Sequence, residues 1–316
     1  MKRCEKLYSL IILISVIAGL LFGMSEPLRE SAGSLIVPLL IVMLYVTFLQ
    51  IRFSDLMDAF KNRKFTVIAI LINFIWVPLL AAGLGYLFLG SHPALFIGFI
   101  MLMVTPCTDW YLIFTGIARG NVALAAAILP VNLLLQVVLL PLYLLIFAGS
   151  SGTVEPAWLL ESVILVLLVP LGIAMLTKGL LKNKRGLEEK LLTRIGALPV
   201  IFLSLAITAM FTSQGEVLLT NLEMVVLLLI PIVLFFVINY LAGQFAGRLA
   251  GFSYRDRVSL SLTTLARNSP LALAIAMTAF PGEPLIALTL VIGPLLELPV
   301  LAAVSHILLK GRKKAD

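Results

Sequence analysis

The chain is predicted to be an all-α membrane protein. Ten transmembrane helices form two inverted five-helix repeats, with discontinuous, crossing spans 4 and 9. Three observations carry this. Apolar residues make up 61% of the 316 residues, charged residues only 12%, and mean hydropathy is +1.12; a soluble domain is typically about 45–50% apolar and about 25% charged. The apolar residues fall into runs long enough to cross a hydrocarbon core that needs ~20 residues per helix. The chain also repeats its own pattern. Adding 161 carries Pro38 onto Pro199, Thr47 onto Thr208, Pro106 onto Arg267 and Gln136 onto Glu297.

The runs lie near 8–24, 34–51, 65–90, 93–118, 121–149, 157–178, 192–213, 221–247, 257–280 and 283–309. The first follows Lys2, Arg3 and Lys6, but no small-residue cleavage site follows it, so it reads as a span rather than a cleaved signal. Span 2 carries Pro38, and span 3 begins behind Lys61, Arg63 and Lys64. Span 4 is broken at Thr105-Pro106-Cys107-Thr108-Asp109, and span 5 carries Asn132 and Gln136. The Leu181–Arg194 region, with Lys182-Asn183-Lys184-Arg185-Gly186, is the most polar linker and joins the halves. Span 7 carries Pro199 and Thr208, and span 8 carries Asn239. Span 9 is broken at Ala266-Arg267-Asn268-Ser269-Pro270, and span 10 holds Glu297 between Pro294 and Pro299. No soluble domain fits between spans. The whole chain, 1–316, reads as one transmembrane domain, with repeat one at about 1–150 and repeat two at about 151–316. Five spans per repeat make the second enter from the opposite side, which is the inverted-topology pattern.

Net charge is +7, and its placement says more than its sum. With a cytoplasmic N-terminus, 21 of the 23 Lys and Arg lie inside; only Arg29 falls outside and Arg267 within the membrane. That bias predicts a multi-pass cell-membrane protein with both termini cytoplasmic. Basic loops facing anionic lipid account for the excess without a nucleic-acid partner. There is no Gly-rich phosphate loop, no His cluster and no nucleophile elbow, so neither an enzyme nor a cofactor or metal centre is expected. His92 and His306 sit at span ends. Cys4 in the head and Cys107 in mid-membrane do not make a disulfide framework.

The two breaks are the candidate site. Pro106 removes a backbone donor and disfavours helix at Thr105, and Asn268-Ser269-Pro270 does the same in span 9. A broken helix frees N–H and C=O groups that hydrocarbon cannot satisfy, so protein, water or ligand must meet them. A lone proline kink is common in membrane helices. Two at matching repeat positions, each flanked by a charge and by amides or hydroxyls, point instead to a binding site.

Asp109, Arg267 and Glu297 are the strongly charged residues deep in the spans, and each costs roughly 2.5–3.5 kcal/mol at mid-membrane. Asp109 and Arg267 are read either as a static ion pair between the halves or as a pair that responds to proton or substrate. Glu297, matching Gln136, is a second candidate proton site or a capped carboxyl. Asn132, Gln136 and Asn239 are read as supporting polar residues that hydrogen-bond between spans. Cys107 is a small buried hydrophobe or, placed in the break, a soft ligand suited to trivalent arsenic or antimony.

At these residues the chain resembles a known superfamily. The run Pro106-Cys107-Thr108-Asp109-Trp110, then Ala118 to Leu124, then Leu129-Pro130-Val131-Asn132-Leu133-Leu134-Leu135-Gln136, is similar to spans 4 and 5 of the bile acid/sodium symporter superfamily, and in particular of its arsenical-resistance permease branch. Leu265-Ala266-Arg267-Asn268-Ser269-Pro270 through Ala276 resembles that branch's span 9. The resemblance implies a core domain of spans 3–5 and 8–10, a panel domain of spans 1, 2, 6 and 7, and proton-coupled export of arsenite or antimonite with a functional Cys matching Cys107. Cys107, Thr108, Arg267, Asn268 and Ser269 are then the substrate-binding candidates, and Asp109 and Glu297 the coupling candidates.

Departures from the family pattern narrow this. Sodium-coupled members carry a Ser-Asn pair where this chain has Tyr111 and Leu112, a Glu at about Thr263 and a Gln at Arg267. Most sodium ligands are therefore gone and a cation stands in their place. Arsenite exporters often carry a Glu where Leu271 and Ala272 stand, which leaves Asp109 or Glu297 to replace it. Three readings follow: a proton-coupled metalloid exporter, favoured by Cys107; a carrier of small organic anions, favoured by Arg267; and a non-transporting sensor, disfavoured because no extramembrane loop is large enough to signal.

Overall fold

The computed structural model describes residues 2–50, 61–107, 110–149, 156–181, 192 and 194–312, with the backbone alone at 2–9, 110, 148, 156, 218 and 312. The named elements among these residues are all helices. In chain order they form α1 (Lys2–Phe22), α2 (Glu26–Gln50), α3 (Arg63–Leu89), α4 (Pro93–Val104), α5 (Trp110–Ile117), α6 (Val122–Ala148), α7 (Ala157–Leu181), α8 (Leu198–Thr220), α9 (Leu222–Leu249), α10 (Tyr254–Leu265), α11 (Ser269–Ala279) and α12 (Pro284–Arg312). Seven of them (α2, α3, α6, α7, α8, α9 and α12) are long and apolar enough to cross a membrane, which makes this an α-helical, multi-pass membrane protein. The expected ten differ from these seven for a physical reason. Expected spans 4 and 9 are each two short helices, 12 and 8 residues in one and 12 and 11 in the other, and the apolar part of α1 is Leu10–Phe22.

The 161-residue register holds at the level of helix ends. Shifted by 161, α4 lands on 254–265, the bounds of α10; α5 lands inside α11; and α6 lands on 283–309, against Pro284–Arg312 for α12. Likewise α3 lands on 224–250, against Leu222–Leu249 for α9.

Contacts divide the chain into two compact units. The first comprises Met1–Ile51, Glu155–Leu222 and Pro270–Val291. Within it α8 packs along α2 and α1, and α7 along α2. Gly19 lets backbones meet: a Cβ there would lie 2.6 Å from both the Thr208 carbonyl oxygen and the Phe211 Cβ, the close approach that small residues permit between membrane helices. Tyr45 and Thr177 share a hydroxyl–hydroxyl bond of 3.2 Å, and Arg29 pairs with Glu216 at the exposed end.

The second unit comprises Arg52–Val154, Glu223–Ser269 and Ile292–Asp316. Here α4 packs between α3 and α6, and α10 packs on α5 and α6. Tyr143 of α6 donates to the Phe74 carbonyl at 2.6 Å, and Tyr111 of α5 to the Ala125 carbonyl at 2.9 Å. Asn121 caps α6 through Leu124 N–H and donates from Nδ2 to Asp256 at 2.9 Å, which ties the start of α6 to the start of α10. Expected spans 1, 2, 6 and 7 all fall in the first unit, and spans 3, 4, 5 and 8 in the second. Spans 9 and 10 differ from the expected grouping: 270–291 belongs to the first unit, and the division falls at the break, between Ser269 and Pro270. Most of the Leu181–Arg194 join lies outside the described residues.

Candidate functional site

The site in the second unit grows from two helix ends. α4 stops at Val104 because Pro106 follows: Thr105 is pushed to an extended backbone, φ −102° and ψ 98°, as a residue before proline must be. α10 stops at Leu265, and Ala266 is extended with φ −69° and ψ 136°. Two extended strands a few residues long thus lie where helices ended, and they pair. Pro106 and Arg267 form an isolated antiparallel bridge. Cys107 N–H donates to the Ala266 carbonyl at 3.0 Å, and Asn268 N–H donates to the Thr105 carbonyl at 2.7 Å. The 161-residue shift exchanges these two hydrogen bonds, so the bridge is locally two-fold. One N–H and one carbonyl released by each break are satisfied by the other, as a low-dielectric setting demands. Pro270 lies in the first turn of α11, where its missing N–H is no loss.

Ending two helices leaves their last carbonyls without partners and concentrates negative partial charge there. Arg267 answers both needs. Its guanidinium donates from Nε to the Leu265 carbonyl at 3.1 Å and from Nη1 to the Met103 carbonyl at 2.8 Å. Nη2 donates to Asn73 Oδ1 at 3.1 Å and also to the Thr264 carbonyl. Three of the four oxygens belong to the closing turns of α4 and α10. The group is 1% exposed and lies over the Phe235 ring, 5.5 Å from its centroid. Asn239 of α9 donates to the same Thr264 carbonyl. The backbone N–H of Arg267 goes to Glu297 Oε1 at 2.9 Å. Glu297 is itself 3% exposed.

The structure therefore brings together Arg267, Glu297 and the backbones of Cys107 and Asn268. Cys107, Asn268 and Ser269 are buried at the breaks, and so are Asn132 and Gln136 on α6. Thr108 and Asp109 lie outside the described residues, as does any Asp109–Arg267 contact. Residues not anticipated from the sequence are Asn73, Phe235 and the carbonyl acceptors Met103, Thr264 and Leu265. Asn73 had a signal: it is a carboxamide inside the apolar run 65–90, and its helix loosens there into a π turn at Ile72–Trp76, a form often found at functional positions. Among the described residues no cluster of His, Cys, Asp and Glu is suited to hold a metal ion.

The chain is 26% identical over 291 residues to the arsenical-resistance protein Acr3 of Corynebacterium glutamicum, covering 85% of this chain and 76% of that one. It is 24% identical over 277 residues to the arsenical-resistance protein Acr3 of Alkaliphilus metalliredigens, covering 82% and 77%. It is 26% identical over 270 residues to an uncharacterized sodium-dependent transporter, YocS, of Bacillus subtilis, covering 84% and 81%. The family described as Sodium Bile acid symporter family matches residues 37–221, more than half of the chain, and the chain belongs to that family.

Proposed function

We propose that this transporter exports trivalent metalloid, arsenite or antimonite, coupled to protons, by alternating access of ten spans arranged as two inverted repeats. Both termini are cytoplasmic in this reading, which the distribution of Lys and Arg supports. The observation that carries it is the use made of Arg267. Its guanidinium is committed to four oxygens of the protein, at the junction of helix C-terminal ends where transporters of this general build hold a coupling cation. A cation already fixed there supports coupling through a proton rather than sodium. It also leaves that guanidinium engaged and weakens the case for an organic-anion substrate. Cys107, held beside the bridge by its own N–H, is the soft ligand that a thiophilic metalloid needs. Glu297, on the N–H of Arg267, is the carboxylate available to exchange the coupling proton, together with Asp109. The names of two relatives support the metalloid.

The second reading, a carrier of small organic anions, draws on the relative named as sodium-dependent. Everted vesicles decide between the two. Under an imposed proton gradient, arsenite should accumulate and small carboxylates should not. Accumulation of carboxylates alone would replace the metalloid with the anion.

A further inference from the structure

The bridge relates the surroundings of the two breaks as well as the breaks themselves. On the α12 side, Gly293 lies against Leu102 and Ser269: a Cβ there would meet Leu102 Cδ1 at 2.7 Å and Ser269 Cβ at 3.0 Å. One turn on, Glu297 takes the N–H of Arg267. Exchanged through the 161-residue shift, Gly293, Glu297 and Arg267 move back onto Asn132, Gln136 and Pro106, and Leu102 moves forward onto Thr263. The relation thus sets Asn132 against Thr263, and α6 does pack on α10. It sets Gln136 against the nitrogen of Pro106, which has no hydrogen to give.

The hydrogen-bond inventory carries the mark of this mismatch. Asn132, Gln136 and Thr263 are each fully buried. Both polar atoms of Asn132, both of Gln136 and the hydroxyl of Thr263 have no hydrogen-bond partner among the described residues. A buried polar group left unmatched is costly, and five such atoms on two packed helices are a concentration that native interiors avoid unless something fills it.

We infer that Asn132, Gln136 and Thr263 form the hydroxyl-recognition half of the substrate site, built for an uncharged, polyhydroxylated solute. Carboxamides and a hydroxyl offer donors and acceptors together. They match groups that also do both and give no net attraction to an anion. Trivalent arsenic in neutral water is such a solute: a fully protonated trihydroxide. The inference rests on the metalloid reading above and adds the substrate's charge state and the residues that select it. Cys107 would take the metalloid atom, and the α6–α10 set its hydroxyls.

The test uses apolar near-isosteres on the full chain: Asn132→Leu, Gln136→Met, Thr263→Val and all three combined. Arsenite uptake into everted vesicles and the melting temperature of purified protein are both measured. Each single variant should raise the KM for arsenite about tenfold, the loss expected for one or two hydrogen bonds, with the melting temperature unchanged or higher, since no protein partner is lost. Phenylarsine oxide keeps the thiol affinity but has a carbon in place of one hydroxyl, so its KM should rise less. An unchanged arsenite KM in the folded triple variant would overturn the inference and leave the metalloid reading standing. A fall in melting temperature in both Gln136→Met and Thr263→Val would overturn it too, by showing that these groups serve the fold. Wild-type vesicles that move no arsenite at all would remove both readings.

Discussion

Glu297 accepts the backbone N–H of Arg267, not its guanidinium, at 2.9 Å. The two charged groups are therefore neighbours with separate tasks. The guanidinium closes helix ends, and the carboxylate holds the one extended residue that carries the guanidinium. Glu297→Gln keeps an acceptor at Oε1 and should fold with little change in melting temperature, while transport loses its dependence on the pH gradient. Glu297→Leu orphans the N–H and should cost about 1–3 kcal/mol. Thermal unfolding of both variants, alongside uptake at several imposed gradients, separates acceptor from proton carrier.

Arg267→Gln removes the cation that four oxygens were arranged around. Loss of a buried, hydrogen-bonded charge should destabilise by about 3–5 kcal/mol. The carbonyls of Met103, Thr264 and Leu265 would then be open to a small cation. Sodium should raise the melting temperature of this variant and leave that of the wild type unmoved. Equal responses to sodium in both proteins would show that the guanidinium does not stand in for an ion.

Cys107→Ser should abolish arsenite export while leaving folded protein in the membrane, because serine keeps the size but is a hard, poorly ionised ligand. Cells carrying the variant should lose arsenite resistance. Cys4→Ser should change nothing, and full resistance in the Cys107 variant would remove the thiol from the site.

Transport by the wild type should persist when choline replaces sodium and collapse when the pH gradient is dissipated. Vesicle uptake in the two media reads this directly. A strict sodium requirement would mean that backbone carbonyls elsewhere in the breaks supply an ion site.

The parts of this molecule legible in the sequence are those that composition and proline report. Pro106 and Pro270 announced the two interruptions, and the 161-residue register put them at equivalent places. The pairing of Pro106 with Arg267 in the structure is the same pair that the register names. Less visible was what Arg267 would hold. Its obvious sequence partner, Asp109, lies outside the described residues; side-chain charges are what can be read from letters. The oxygens it binds are mostly main-chain carbonyls, which every residue has and which become acceptors only where a helix happens to stop. Asn73 was passed over for a related reason: a single amide in a long apolar run looks like noise until a π turn aims it. The half-helices, 8 to 12 residues long, were legible as broken spans only through proline and the polar residues beside it, because hydropathy does not register a change of backbone direction.

The two-fold bridge also bears on how such a molecule can be encoded. In a pair of identical five-helix chains, the residue at the centre of this bridge would meet its own copy. Two arginines there would bring like charges together between the same carbonyls. Two prolines would leave both helix ends with no cation. Having proline on one side and arginine on the other, as at 106 and 267, is open to a fused gene and closed to a symmetric homodimer. The position where the two halves most need to be alike in backbone is thus the one where they most need to differ in side chain.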